Sequence, residues 1–309
     1  MAILSSRDLY TLPPLRGRTV KPSSGPAPPV PQPPSSDDAL RTLRTLPTLS
    51  LVATYLLQQV SQENISFRKV SDVIRTDAPL SADMLRVANS ALFGPRFPVT
   101  GVLHALAMLG LDRVRSLVTT VALKSLIGQA GGTPALVRCW RHNLACAFVA
   151  EEAARKADLD RDFAYTAGLL HDVGRLTMMS AWRPRYGALL DSAQPDPVAL
   201  LAAERQEFGI PHTRAGFALT QDWKLPLIFG EIADRHHDPP PEGVVDVMAV
   251  VCFSCRFADA LGFGVVGGPV TGEEPDPPSP LRRLIEGSLK DAALRVAERI
   301  NTFECCLGT

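Results

Sequence analysis

From Asp38 to the end of the chain the apolar residues recur at helical spacing, and no stretch alternates as a half-buried strand would. Leu49, Val52, Leu56 and Val60, with Tyr55 alongside, form one stripe, while Gln58, Gln59 and Ser61 suit the outer face. Phe67, Val70, Val73 and Ile74 predict a second helix, and a third begins at Ser81 and carries Met84, Leu85 and Val87. Val102, Ala105, Leu106 and Leu109 predict a fourth that stops at Gly110; Val114, Leu117, Val118 and Val121 predict a fifth that stops near Gly128.

The second half has stronger start signals. Thr133 before Pro134 reads as an N-cap followed by proline at the first helical position, opening a helix to about Lys156. On it His142 shares a face with Cys139, Cys146, Val149 and Ala153, away from Glu151, Glu152 and Arg155, so it points inward. A helix from Phe163 to His171 follows, punctuated by Gly174, and then one from Leu176 to Leu190. Asp196-Pro197 repeats the cap-plus-proline start, with Val198, Leu201 and Ala202 on the expected inner face and Gly209 as the stop. Pro211 opens a helix with His212 in its first turn, and Ile228, Ile232 and His236-His237 lie along the next. Val244 to Leu261 is the most apolar helix, with Cys252, Cys255 and Asp259 on one face at i, i+3 and i+7. Gly262 to Ser279 reads as a mobile loop, and Ser279-Pro280 as the cap of a last helix carrying Leu281, Leu284, Ile285, Leu289, Val296 and Ile300.

Composition narrows the functional classes. The 309 residues are 46% hydrophobic and 21% charged, enough for a sizeable core. Lys+Arg and Asp+Glu both number 32, so no bulk positive field favours nucleic acid. No apolar run reaches a membrane-spanning length and Met1 to Lys21 lacks the apolar centre of a secretory signal, so a cytoplasmic protein with no membrane or nucleic-acid partner is expected. Six cysteines are too few for a disulfide scaffold at this length, and Cys252-x-x-Cys255 without a second pair reads as small core residues. Residues 1–37, rich in proline with serine and glycine, read as a disordered tail.

The chemistry gathers around His171-Asp172. An imidazole nitrogen beside a carboxylate suits a borderline divalent metal, and His142, His212, His236, His237 and Asp259 could complete the set. Five of the six histidines fall between positions 142 and 237, where helices begin, end or turn inward, and two direct neighbours double the local ligand density. Three or four such ligands would hold one metal and six or seven could hold two, lowering the pKa of a bound water and clamping a phosphoryl oxygen. The same residues would equally serve a buried hydrogen-bond network in which Asp172 and Asp259 fix imidazole tautomers.

Several motifs in order also resemble a known family. Leu46-Pro47, Ser71-Asp72-Val73-Ile74 to Asp77-Ala78-Pro79-Leu80, Leu85-Arg86-Val87-Ala88-Asn89-Ser90-Ala91-Leu92-Phe93-Gly94 and Ala105 to Leu111 are similar to the first half of HDOD-domain signalling proteins, a branch of the HD superfamily. Trp140-Arg141-His142, Leu169 to Gly174, Pro211-His212, Trp223-Lys224-Leu225-Pro226 and His236-His237 resemble the second half. The resemblance implies an all-α fold in two parts, residues 38–130 as an N-terminal helical half and 131–262 as an HD-like half, with 263–309 as a loop and a packing helix.

It also implies a role in bacterial regulation. His142, His171-Asp172 and Asp259 look like the superfamily's metal-binding set, and His212 with His236-His237 resembles the extra histidines of the HD-GYP phosphodiesterases. The implied cofactor is a divalent transition metal (iron, manganese, zinc or nickel) in a mono- or dinuclear site. Asp238-Pro239-Pro240-Pro241 replaces the glycine-tyrosine-proline loop of those enzymes, and Arg175 stands where a lysine commonly follows the HD pair. The expected function is therefore signal transduction through contacts with regulatory protein partners. The alternative is a metal-dependent phosphohydrolase acting on a nucleotide or other phosphate ligand, with Asp172 orienting the nucleophile and Arg175 meeting the phosphate.

Overall fold

A computed structural model describes residues 34–59, 65–128, 132–194, 196–239, 243–266 and 280–307. Every regular element among them is helical, so the all-α expectation holds. The proline-rich tail as far as residue 33, Val60 and most of the loop expected after Gly262 lie outside the described residues.

The first half is six short helices: α1 (Ser36–Leu43), α2 (Leu51–Gln58), α3 (Phe67–Ile74), α4 (Ala78–Ala88), α5 (Val102–Leu109) and α6 (Leu111–Gly128). Local chemistry starts them. The side chain of Ser35 accepts from the Asp38 amide, Ser50 from Ala53 and Asp77 from Leu80, each satisfying a donor that the first helical turn leaves open. The Asp77 cap starts α4 three residues before the expected Ser81. Its neighbour Asn89 ties the end of α4 to the following loop through both amide atoms on Val99. Around α6 even Ser116, Thr119 and Thr120 are buried, because it packs against α2, α4, α5 and the later helix Arg161–Leu170.

The second half is α7 (Pro134–Lys156), α8 (Arg161–Leu170), α9 (Val173–Ala181), α10 (Arg183–Ser192), α11 (Pro197–Phe208), α12 (His212–Asp222), α13 (Leu227–Arg235) and α14 (Val247–Ala258). Thr133 and Asp196 cap as their sequences predict. One expected helix, Leu176 to Leu190, is two: Trp182 leaves helical backbone, and Pro184 suits the first turn of α10 because it has no amide to offer. The last expected helix is also two pieces, a 3₁₀ turn at Pro280–Leu284 and α15 (Leu289–Leu307), separated by Gly287 at φ +78°. A salt bridge from Arg299 of α15 and another from Arg113 of α6 meet on Glu151 of α7.

Close helix approach positions the site. A Cβ on Gly168 would lie 3.0 Å from the Ala147 Cα, so α8 rests directly on the α7 backbone. A Cβ on Gly174 would lie 2.0 Å from the His212 carbonyl oxygen and 2.5 Å from the Gly216 amide. Gly174 is thus no helix stop; it sits in the first turn of α9 and lets α12 come against it. The inner face of α11 is likewise Leu200, Glu204 and Phe208, whereas Val198 is 76% exposed and Ala202 faces solvent. No helix among the described residues is long and apolar enough to cross a membrane.

Candidate metal centre

Six of the seven residues singled out as ligands meet in one buried cluster built from five helices. His142 comes from the middle of α7, His171 ends α8, Asp172 precedes α9, His212 begins α12, and His236 and His237 follow α13. The imidazoles run in contact, His142 to His171 at 5.3 Å between centroids, His171 to His236 at 4.8 Å, His236 to His237 at 4.1 Å and His237 to His212 at 5.2 Å. His142, His171, Asp172, His212 and His236 are each no more than 2% exposed. Asp259 stands apart. Its side chain is 51% exposed, and its Oδ1 lies 3.4 Å from Nδ1 of His142.

Backbone carbonyls fix the tautomers. A carbonyl oxygen only accepts, so Nδ1–H of His171 donates to Gly168 (2.6 Å), that of His236 to Ala233 (3.0 Å) and that of His142 to Phe263 (3.0 Å). Each ring is left with its Nε2 lone pair directed inward. This is the arrangement by which proteins orient metal-binding histidines. Nε2 of His171, Nε2 of His236 and Oδ1 of Asp172 have no hydrogen-bond donor, and one ligand atom from each residue lies within 4.8 Å of the others. Buried acceptors without a donor are costly, and a cation among them removes that cost. The donor set of imidazole and carboxylate therefore fits a divalent transition metal, which would supply Lewis acidity there.

A fixed cation lies beside this position. Arg175 donates from Nε to Oδ2 of Asp172 at 2.6 Å, and one of its terminal nitrogens lies 2.9 Å from Nε2 of His212. Arginine cannot accept, so Nε2 of His212 does, and its Nδ1–H donates to Glu204 at 2.7 Å. Glu204 also takes the Tyr186 hydroxyl at 2.6 Å and the His212 amide at 2.8 Å. His212, His236 and His237 form a second group with ligand atoms within 4.8 Å, but the Arg175 guanidinium already engages one of its lone pairs.

The electrostatics follow from burial and that arginine. Burial drives the His171 imidazole down to about 3 and that of His237 to about 2, and holds His236 well below its usual value, so all three are neutral at pH 7. Burial alone would raise Asp172, but the Arg175 guanidinium holds its carboxyl well below the usual carboxylate range. Burial likewise opposes ionisation of Glu204, which His212 and Arg175 outweigh. Cys255, buried on α14, is pushed up by burial.

Three residues of this site escape the sequence reading. Glu204 and Tyr186 lie on helices whose inward faces the pattern misassigns or merges, although an acidic residue on the stripe Leu200, Glu204, Phe208 was a usable signal. Cys255, expected to be core filling, has its Sγ 3.6 Å from Nε2 of His142.

The HDOD domain family profile matches residues 46–239. An uncharacterized protein of Treponema pallidum is 25% identical over 211 residues, 65% of this chain and 40% of its own length, so the chain spans well under half of that relative. An HDOD domain protein of unknown function from Geobacter sulfurreducens superposes with a TM-score of 0.64 at 25% identity, covering 87% of this chain and 97% of its own. A Shewanella amazonensis protein named as a phosphohydrolase shares the fold with a TM-score of 0.62 at 21% identity, covering 87% of this chain and 96% of its own. With the profile spanning well over half of the residues, this chain belongs to the HDOD domain family.

Proposed function

We propose that the chain is a non-catalytic signal-transduction module of the HDOD type that works through protein contacts and carries one divalent transition metal as a structural part of its HD-like half. The observation that carries this reading is the burial of Arg175. Its guanidinium is 2% exposed and joins Asp172, His212 and Glu204, occupying the ground where a second metal or a substrate phosphate would meet the histidines. Iron, manganese, zinc and nickel all suit such donors. One metal among His171, Asp172 and His236 needs no rearrangement of Arg175, whereas a dinuclear hydrolytic site does.

One observation favours the competing reading, a metal-dependent phosphohydrolase: the His212, His236 and His237 atoms are close enough to share a second ion. There Arg175 would have to leave His212 and turn to the phosphate. Hydrolysis separates the two. The full chain, reconstituted with each of the four metals, is assayed against phosphate mono- and diesters, including nucleotides, beside Asp172→Asn. The module reading expects no turnover above that of the variant. Turnover that depends on Asp172 would overturn it.

A further inference from the structure

The resemblance to the HD superfamily assigns a metal-binding carboxylate to Asp259, at the end of α14, and the structure does not put that side chain among the inward-facing lone pairs. Its Oδ1 is 3.4 Å from Nδ1 of His142, the nitrogen that already donates to the Phe263 carbonyl. The residue on the inward side is Cys255, one turn earlier on the same helix, 2% exposed. Its Sγ lies 3.6 Å from Nε2 of His142, and His142, His171 and Cys255 each place a ligand atom within 4.8 Å of the others.

Two further facts make this more than a lone cysteine in a core. His171, whose Nε2 is buried and without a hydrogen-bond partner, belongs both to this group and to the group with Asp172 and His236. The spacing also suits coordination. Bonds of about 2.0–2.1 Å to imidazole and about 2.3 Å to thiolate at a tetrahedral angle put nitrogen and sulfur about 3.6 Å apart.

We propose that Cys255 is a thiolate ligand of that one metal, joining it together with His142 through His171, the residue common to both groups, in place of the carboxylate of Asp259. This rests on the reading that the HD-like half holds a metal. On binding, the thiol proton leaves to solvent and the sulfur takes the metal instead. A sulfur donor among imidazoles selects a softer ion, so the site prefers zinc or cobalt to manganese or magnesium.

Cobalt(II) is the probe, because thiolate ligation gives a near-ultraviolet charge-transfer band that imidazole and carboxylate do not. The full chain, made without a histidine tag and stripped of metal, is titrated with cobalt alongside Cys255→Ala, Cys255→Ser, Cys146→Ala and Asp259→Asn. Wild type, Cys146→Ala and Asp259→Asn should show the band. Both Cys255 variants should lose it, with affinity reduced more than about tenfold. Far-ultraviolet circular dichroism checks folding, and the near-isosteric serine variant decides where alanine does not fold. Cobalt bound by wild type without the band, or a band that survives in a folded Cys255 variant, overturns thiolate ligation and leaves the metal centre standing. No cobalt uptake by folded wild type overturns both.

Discussion

The Nε of Arg175 donates to Oδ2 of Asp172 at 2.6 Å, while Oδ1 of the same carboxylate has no donor and faces Nε2 of His236 at 3.8 Å. On the proposed reading one carboxylate would serve two cations in different ways: a permanent guanidinium on one oxygen and a metal on the other. This division explains how a buried arginine and a metal-ligand set coexist in one core.

Arg175→Met should remove the compensation for two buried carboxylates, Asp172 and Glu204, at a cost of about 3–5 kcal/mol. Urea unfolding of the metal-free chain measures it. The same substitution removes the cation beside His212, so with excess zinc the folded variant should take up a second equivalent at His212, His236 and His237, read by elemental analysis. A stability change under about 1 kcal/mol would show that the guanidinium is not the partner of those carboxylates.

Gly174→Ala should be severely destabilising, at least about 3 kcal/mol and so at the top of the range for overpacking, because backbone atoms of α12 cannot yield as a flexible side chain would. Gly187→Ala on α10 is the contrast. Its Cβ would meet only the Ala135 Cβ at 3.7 Å, and alanine favours the helix by up to about 1 kcal/mol. Thermal unfolding of both variants checks the pair; equal midpoints would contradict the close α9 to α12 approach.

The buried acid Glu204 should matter more than the tyrosine it holds. Glu204→Gln removes the charge facing Arg175 and His212 and should cost about 3 kcal/mol. Tyr186→Phe removes one donor to that carboxylate and should cost about 1–2 kcal/mol. Chemical denaturation of each, with the order reversed, would sink this account of the pocket floor.

The metal-free chain should lose stability in mild acid. Folded, His171 takes a proton only near pH 3 and His237 near pH 2, whereas unfolded histidines do so near pH 6.5. Below about pH 6.5 the unfolded chain therefore binds protons that the folded chain refuses, and stability falls by up to about 1.4 kcal/mol per pH unit for each such histidine. Above that pH these groups add no slope. Asp172 and Glu204, held below their usual range, add a further loss as pH falls through their folded values. Urea midpoints at pH 7.5, 6 and 5 should decline little down to about pH 6.5 and more steeply below it; a flat profile would mean that the imidazoles are solvated.

Much of the fold was legible because caps and stripes are local. Thr133-Pro134 and Asp196-Pro197 start α7 and α11 through hydrogen bonds made within three residues, and the stripe on α7 turns His142 inward as read. Convergence is not local. Nothing near His212 in sequence announces that Glu204, on the preceding helix, would fix its tautomer, and reading the wrong face of α11 hid that residue. Gly174 shows the same limit: next to an HD pair it reads as a stop, and only the partner helix reveals that it is there for lack of a side chain. Cys255 and Asp259 share one helical face, so spacing could not separate them; the turn after Ala258 carries the Phe263 carbonyl to Nδ1 of His142 and leaves the Asp259 side chain half exposed.

The most direct measurement is the metal content of the tag-free full chain, purified without chelator, beside His171→Ala. The account predicts about one equivalent of transition metal per chain in the wild type and almost none in the variant with its fold intact. Less than about a tenth of an equivalent in wild type that also refuses added metal would contradict it, and would leave the cluster as a hydrogen-bond network alone.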